Sequence, residues 1–127
     1  MTNRRSLQDA FDGHLLAQLI ALMDQGVVWR GVPSQPDEVE DGIPICRDRH
    51  EVHARMQHYV EHGGDADSVI LAERGDSVAV EVRPRPGAGD EHGIGPRLFQ
   101  VMTFRGDRIV LIQDYHDQEA ALAALGS

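Results

Sequence analysis

Two rhythms of apolar and polar positions run along this chain. From Ser6 onward, Leu7, Phe11, Leu15, Leu19, Leu22 and Met23 recur near i, i+4, i+8, the spacing of one helix face. The pattern predicts a helical stretch that Gly13 divides and Gly26 ends, since glycine past a last turn is a common stop. VVWRG (27–31) then reads as a short strand, and residues 32–45, with three prolines and many acids, as an exposed loop. Asp48 followed by Glu51 has capping-box spacing and opens a second helix, RHEVHARMQHYVEH, stopped by Gly63 and Gly64.

Beyond Gly64 the rhythm changes to strict alternation. SVILAER and SVAVEVR flank Gly75-Asp76 as a tight hairpin, and RLFQVMTF and RIVLIQDY flank Arg105-Gly106-Asp107 as a second. Residues 84–96 between them are too rich in glycine and proline for regular structure. DQEAALAAL closes the pattern as a short helix with Asp117 as N-cap. Helices followed by antiparallel hairpins predict an α+β fold, a single domain over residues 1–127, with the helices on one face of a curved sheet.

One position breaks the pattern. Alternation along the last strand points Val110, Ile112, Asp114 and His116 one way, and Ile109, Leu111, Gln113 and Tyr115 the other. A carboxylate therefore continues an apolar face. Gln100 shares its face with Leu98 and Met102 on the hairpin partner, within reach of Asp114. Tyr59 and Met56 fall on the apolar side of the second helix, together with Val52 and Val60.

Composition narrows the chemistry. The net charge of -9 comes from 21 acids against 12 bases, with no basic run longer than Arg4-Arg5, so nucleic acid is not an expected partner. All the bases are arginine, which removes Schiff-base, pyridoxal-phosphate and Walker-lysine chemistry. A lone cysteine, Cys46, allows no intrachain disulfide. With no charged leader ahead of an apolar core and no run approaching about 18 apolar residues, the expectation is a cytoplasmic protein that does not enter a membrane.

Other signals carry less. His50, His53, His58 and His62 crowd one helix, but at about 100° per residue only His58 and His62 stand about 40° apart, and two imidazoles do not complete a zinc site. They read as surface histidines, and no metal or cofactor is expected. GAGDEHGIG opens onto a strand rather than a helix, so it lacks the helix N-terminus that a dinucleotide fingerprint needs. Cys46, in an unpatterned loop near Arg47 and Arg49, reads as an inert thiol.

VVWRGVP, CRDRHEVHARMQHYV and above all FQVMTFRGDRIVLIQDYHDQEAALAAL resemble the SnoaL-like branch of the nuclear transport factor 2-like superfamily. The resemblance covers nearly the whole chain. It implies a cone-shaped α+β fold, in which a curved antiparallel or mixed sheet wraps around helices and encloses an apolar pocket. It also implies a homodimer through the outer sheet face. The superfamily includes polyketide cyclases, ketosteroid isomerase, scytalone dehydratase and limonene epoxide hydrolase, so the fold by itself does not name a reaction.

By that resemblance Asp114 matches the pocket aspartate that acts on water in the epoxide hydrolase. The matches end there. Trp29 and Gly31 stand where that enzyme has water-holding tyrosine and asparagine, and Val82 and Pro84 where it has an arginine and a second aspartate. Epoxide hydrolysis is not expected.

Three readings are left, one of them a purely structural pairing module with a filled interior. The first is a small-molecule-binding domain for an apolar or cyclic ligand, lined by Trp29, Met56, Tyr59, Leu98, Gln100, Met102 and Ile112 around Asp114. The second is a general acid/base enzyme of the cyclase or isomerase kind, with Asp114 as proton shuttle assisted by His116 or Tyr59. If Val78, Val80 and Val82 face inward, Glu81 and Arg83 lie on the outer sheet surface; the opposite register brings Arg83 inside.

Overall fold

A computed structural model describes residues 2–13, 16–31, 44–61, 66–84, 98–115 and 117–126. Along these the chain forms α1 (Thr2–Gly13), α2 (Leu16–Ala21), β1 (Met23–Arg30), β2 (Pro44–Cys46), α3 (Arg49–Glu61), β3 (Ala66–Arg74), β4 (Ser77–Pro84), β5 (Leu98–Arg105), β6 (Arg108–Tyr115) and α4 (Gln118–Gly126). The strands make one curved, open sheet in the order β2-β1-β6-β5-β4-β3. β1 runs parallel to β6, and the other neighbours are antiparallel. The expected α+β class is the observed one. No helix among the described residues is long and apolar enough to cross a membrane.

The local signals fold as their chemistry dictates. Both hairpins close on Gly-Asp, with Gly75 at φ 59° and Gly106 at φ 64°, a left-handed backbone that glycine adopts without a Cβ penalty. Arg105 pairs with Arg108 and so belongs to the strand rather than the turn. At the start of α3, Asp48 Oδ1 accepts from Glu51 N–H at 2.9 Å and Glu51 Oε1 accepts from Arg47 N–H at 2.7 Å, a reciprocal cap. Asp117 Oδ1 accepts from Ala120 N–H at 2.8 Å and opens α4.

Five expectations need correction. The first helix begins at Thr2, before Ser6, and helical structure ends at Ala21; Met23 starts β1, so Gly26 lies inside a strand and caps no helix. The cause is pairing: Ile109 N–H donates to Leu22 O at 2.8 Å, and the register against β6 slips between Met23 and Val28, where Asp24 Oδ2 accepts from Gly26 N–H. Residues 44–46, read as loop, form the edge strand β2 on β1, with Pro44 leading, a position where its missing N–H does no harm. Cys46 is therefore a buried strand residue.

The alternation in β6 also fails at one point. Phe104 pairs with Ile109 but Thr103 with Leu111, so Val110 is the extra residue of a bulge. Ile109, not Val110, joins Ile112 in the core, and both are fully buried. Val60 is 53% exposed, because it lies about 80° around α3 from the buried Val52. Finally, the helices do not share one face.

Leu7 and Phe11 of α1, Leu19 and Ile20 of α2, and Val52 and Met56 of α3 pack on an inner face built from Met23, Val27, Val78, Val80, Met102, Phe104, Ile109 and Ile112. Helix α4 instead sets Ala121, Leu122 and Leu125 against Ala79, Phe99, Val101 and Tyr115 on the outer face. Apolar residues on both sides of β4 and β5 require cover on both sides. Each fully buried side chain of this kind contributes about 1.5–3 kcal/mol. Val82 packs against the inner cluster while Arg83 bonds Glu81 on the outer side, which settles the β4 register with the valines inward.

Candidate functional site

Asp114 sits near the end of β6 on the inner face, two residues past Ile112, and is 6% exposed. Its backbone partner across the hairpin is Gln100, itself paired on its other side with Val80. On the other side of β6, Trp29 of β1 pairs with Ile112. The three polar side chains converge. Trp29 Nε1–H and Gln100 Nε2–H each donate to Asp114 Oδ1 at 2.9 Å. Among the described residues no donor bonds Oδ2.

Burial pushes the Asp114 carboxyl above the usual carboxylate range. The hydrogen bonds from Trp29 and Gln100 and the positive charge of Arg55 pull it back, and burial prevails. The physical reason is that both donors are neutral. They stabilise a carboxylate without cancelling its charge, so the cost of leaving water remains. Two donors on Oδ1 also distinguish the oxygens: Oδ1 is the fixed acceptor, and Oδ2 is the one a proton occupies when the acid is neutral.

Of the residues expected to line the site, Met102 and Ile112 are buried in the inner cluster, with Trp29 and Met56 half-buried against it. Tyr59 on α3 and Leu98, opposite Val82 at the start of β5, are half-buried. His116 lies outside the described residues.

Arg55 was not among the expected residues. Its guanidinium lies over the Trp29 ring, 5.6 Å from the centroid, within cation–π range. A partial signal was available: Val52, Met56 and Tyr59 fall at i, i+4 and i+7, and Arg55, itself exposed, flanks that stripe at i+3.

Two other features are separate. Cys46 pairs with Trp29 across β1 and β2, and burial pushes its thiol up against the pull of Arg55, which keeps it protonated and unreactive. A surface groove of about 460 Å³ lined by Ile20, Gln25, Asp48, Arg49, His50 and His53 shares no residue with the Asp114 cluster. Asp48 there is committed to capping α3. His50, His53 and His58 are exposed, and His62 lies outside the described residues.

No protein-family model matches the sequence, and no curated protein is significantly similar to it. Solved structures are similar in shape. IdmH from Streptomyces antibioticus, a proposed polyketide cyclase, is 24% identical, with 98% of this chain and 96% of that one covered and a TM-score of 0.62. A Catenulispora acidiphila protein with a ketosteroid isomerase-like fold, crystallised with trimethylamine, is 17% identical over 98% and 92%, with a TM-score of 0.59. An NTF2-like protein of unknown function from Burkholderia pseudomallei is 18% identical over 100% and 97%, at 0.57. With the six-stranded curved sheet and its helices, these likenesses show that the chain has the nuclear transport factor 2-like fold.

Proposed function

We propose that this chain is a SnoaL-like small-molecule-binding domain, taking an apolar or cyclic ligand against the inner sheet face beside Asp114. One observation carries the reading: a carboxyl 6% exposed, held at Oδ1 by two side-chain donors from different strands, with Oδ2 left for a guest. Carboxyls pushed up by burial beside specific partners concentrate at functional sites. Trp29, Met56, Tyr59, Leu98, Met102 and Ile112 supply the apolar lining and Gln100 a second polar contact. The trimethylamine bound by the Catenulispora protein supports small-ligand binding on this fold.

A second reading is an acid/base enzyme of the polyketide cyclase type. The upward push on Asp114 favours it, because a carboxyl poised towards neutrality exchanges protons efficiently, and IdmH is proposed to be such an enzyme. In this reading Oδ2 removes a proton α to a ligand carbonyl and returns it elsewhere, while Trp29 and Gln100 hold Oδ1. Pairing of two copies through the outer sheet face has to accommodate α4, which covers Ala79, Phe99 and Val101.

Trp29 is the sole tryptophan, so a nitrogen-15 spectrum contains one indole N–H signal and it reports on the site. Titration with β-tetralone is expected to move that signal saturably in the wild type, with altered affinity in Asp114→Asn. An unmoved signal, or identical affinity in the variant, defeats the binding proposal. Deuterium exchange at the α-carbon of β-tetralone tests the enzyme: acceleration by the wild type that disappears in Asp114→Asn supports it, and no acceleration rejects it.

A further inference from the structure

Arg55 is set apart by lying, exposed, over an aromatic ring. Arg83 donates to Glu81, Arg49 to Met23 O and Arg108 to Ala21 O. Arg55 makes no hydrogen bond or ion pair with any described residue, although the chain carries 21 acids. It lies on the ring face of Trp29, and stacking uses the flat face of a guanidinium while its N–H groups point outward along the edge.

The same indole that Arg55 covers donates its N–H to Asp114. Trp29 is therefore shared, with a cation on its face and an acid at its edge. An apolar body lying along Trp29 with one end towards Asp114 has its other polar end beside Arg55. In a chain with net charge -9, an organic anion is repelled by most of the surface, and an exposed guanidinium beside the site reverses that locally.

We infer that the site selects ring-bearing carboxylates, and that Arg55 is the residue that reads their charge, through a two-pronged contact of its outward N–H edge with the carboxylate. This deepens the proposed binding function and rests on it. It identifies Arg55 as a specificity residue and leaves proton exchange to Asp114 alone.

The test uses 2-naphthoate and 2-naphthamide, which share a ring and differ in charge, with the indole signal of Trp29 as readout for both. Wild type is expected to bind naphthoate about tenfold more tightly, the scale of one charge-assisted contact near the surface. Arg55→Gln should erase that preference and leave naphthamide affinity within about twofold, which also shows that the variant is folded. Arg55→Lys should retain only part of the preference, because an ammonium lacks the planar fork. Equal wild-type affinity for the two probes, or a preference that survives in Arg55→Gln, overturns the inference while binding at the site stands. If neither probe nor β-tetralone binds, the proposed function falls and the inference with it.

Discussion

The inner and outer faces of the sheet each bury a carboxylate, and they hold it differently. On the outer face Glu81, 2% exposed, accepts from Arg83 at 2.9 Å, two residues along the same strand. On the inner face Asp114 accepts from Trp29 and Gln100, neutral donors 85 and 14 residues away. The Arg83 guanidinium is pushed up by its hydrogen bond to Glu81. A cation in direct contact fixes a carboxylate in one state. Neutral donors orient the acid and leave its proton exchangeable. The outer acid has a cation beside it, and the inner one is held by neutral groups.

The strongest way to break this contrast is to remove a neutral donor. Trp29→Phe keeps most of the ring and deletes the N–H. Loss of a bond to a buried acid is expected to cost about 1–3 kcal/mol, read from the denaturant midpoint. The Asp114 carboxyl should also move further up, because one of the groups pulling it down is gone; carbon-13 titration of the side-chain carboxyl follows it. An unchanged titration in the variant would mean that the indole does not hold the acid.

A smaller effect sharpens the contrast by its sign. The folded-state affinity of Asp114 for its proton exceeds that of the unfolded chain, so the native state binds more protons between the two values. Its contribution to stability is full at low pH, below the unfolded value, and is lost as pH rises through the folded one. Asp114→Asn removes that dependence, so its melting temperature should exceed the wild type's at pH 7, with the difference narrowing on acidification. A difference that grows on acidification would show that the acid is stabilised by charge.

The smallest effect tests whether the faces are independent. Arg83→Gln lies on the far side of the sheet from Asp114 and is half-exposed. It should leave the Asp114 titration and the indole signal where they were. Movement of either would couple the two acids through β4 and β5.

Much of the site was readable because it follows from alternation over a few residues. Gln100 and Met102 share a face, and Asp114 continues the face of Ile112 past the bulge, since the residues between them alternate normally. The bulge at Val110 was not readable. It depends on how β5 and β6 accommodate each other, and swaps Ile109 for Val110 without changing a letter of the pattern. Arg55 flanks the apolar stripe of α3, but its partner Trp29 is on a strand whose place beside α3 no local rule supplies.

Sequence alone determined the features whose partners lie within about four residues: the Gly-Asp turns, the Asp48–Glu51 cap, the Asp117 cap and the alternation that turns Asp114 inward. Each is a contest between local backbone states, won by the side chains at hand. Tertiary structure decided the rest, namely β1 beginning at Met23 alongside β6, α4 crossing to the outer face, and the meeting of Trp29 with Asp114 and Arg55. Those outcomes depend on which distant apolar surfaces bury one another. Burial is proportional to area and indifferent to chain separation, so the pattern shows that a surface must be covered without saying by what.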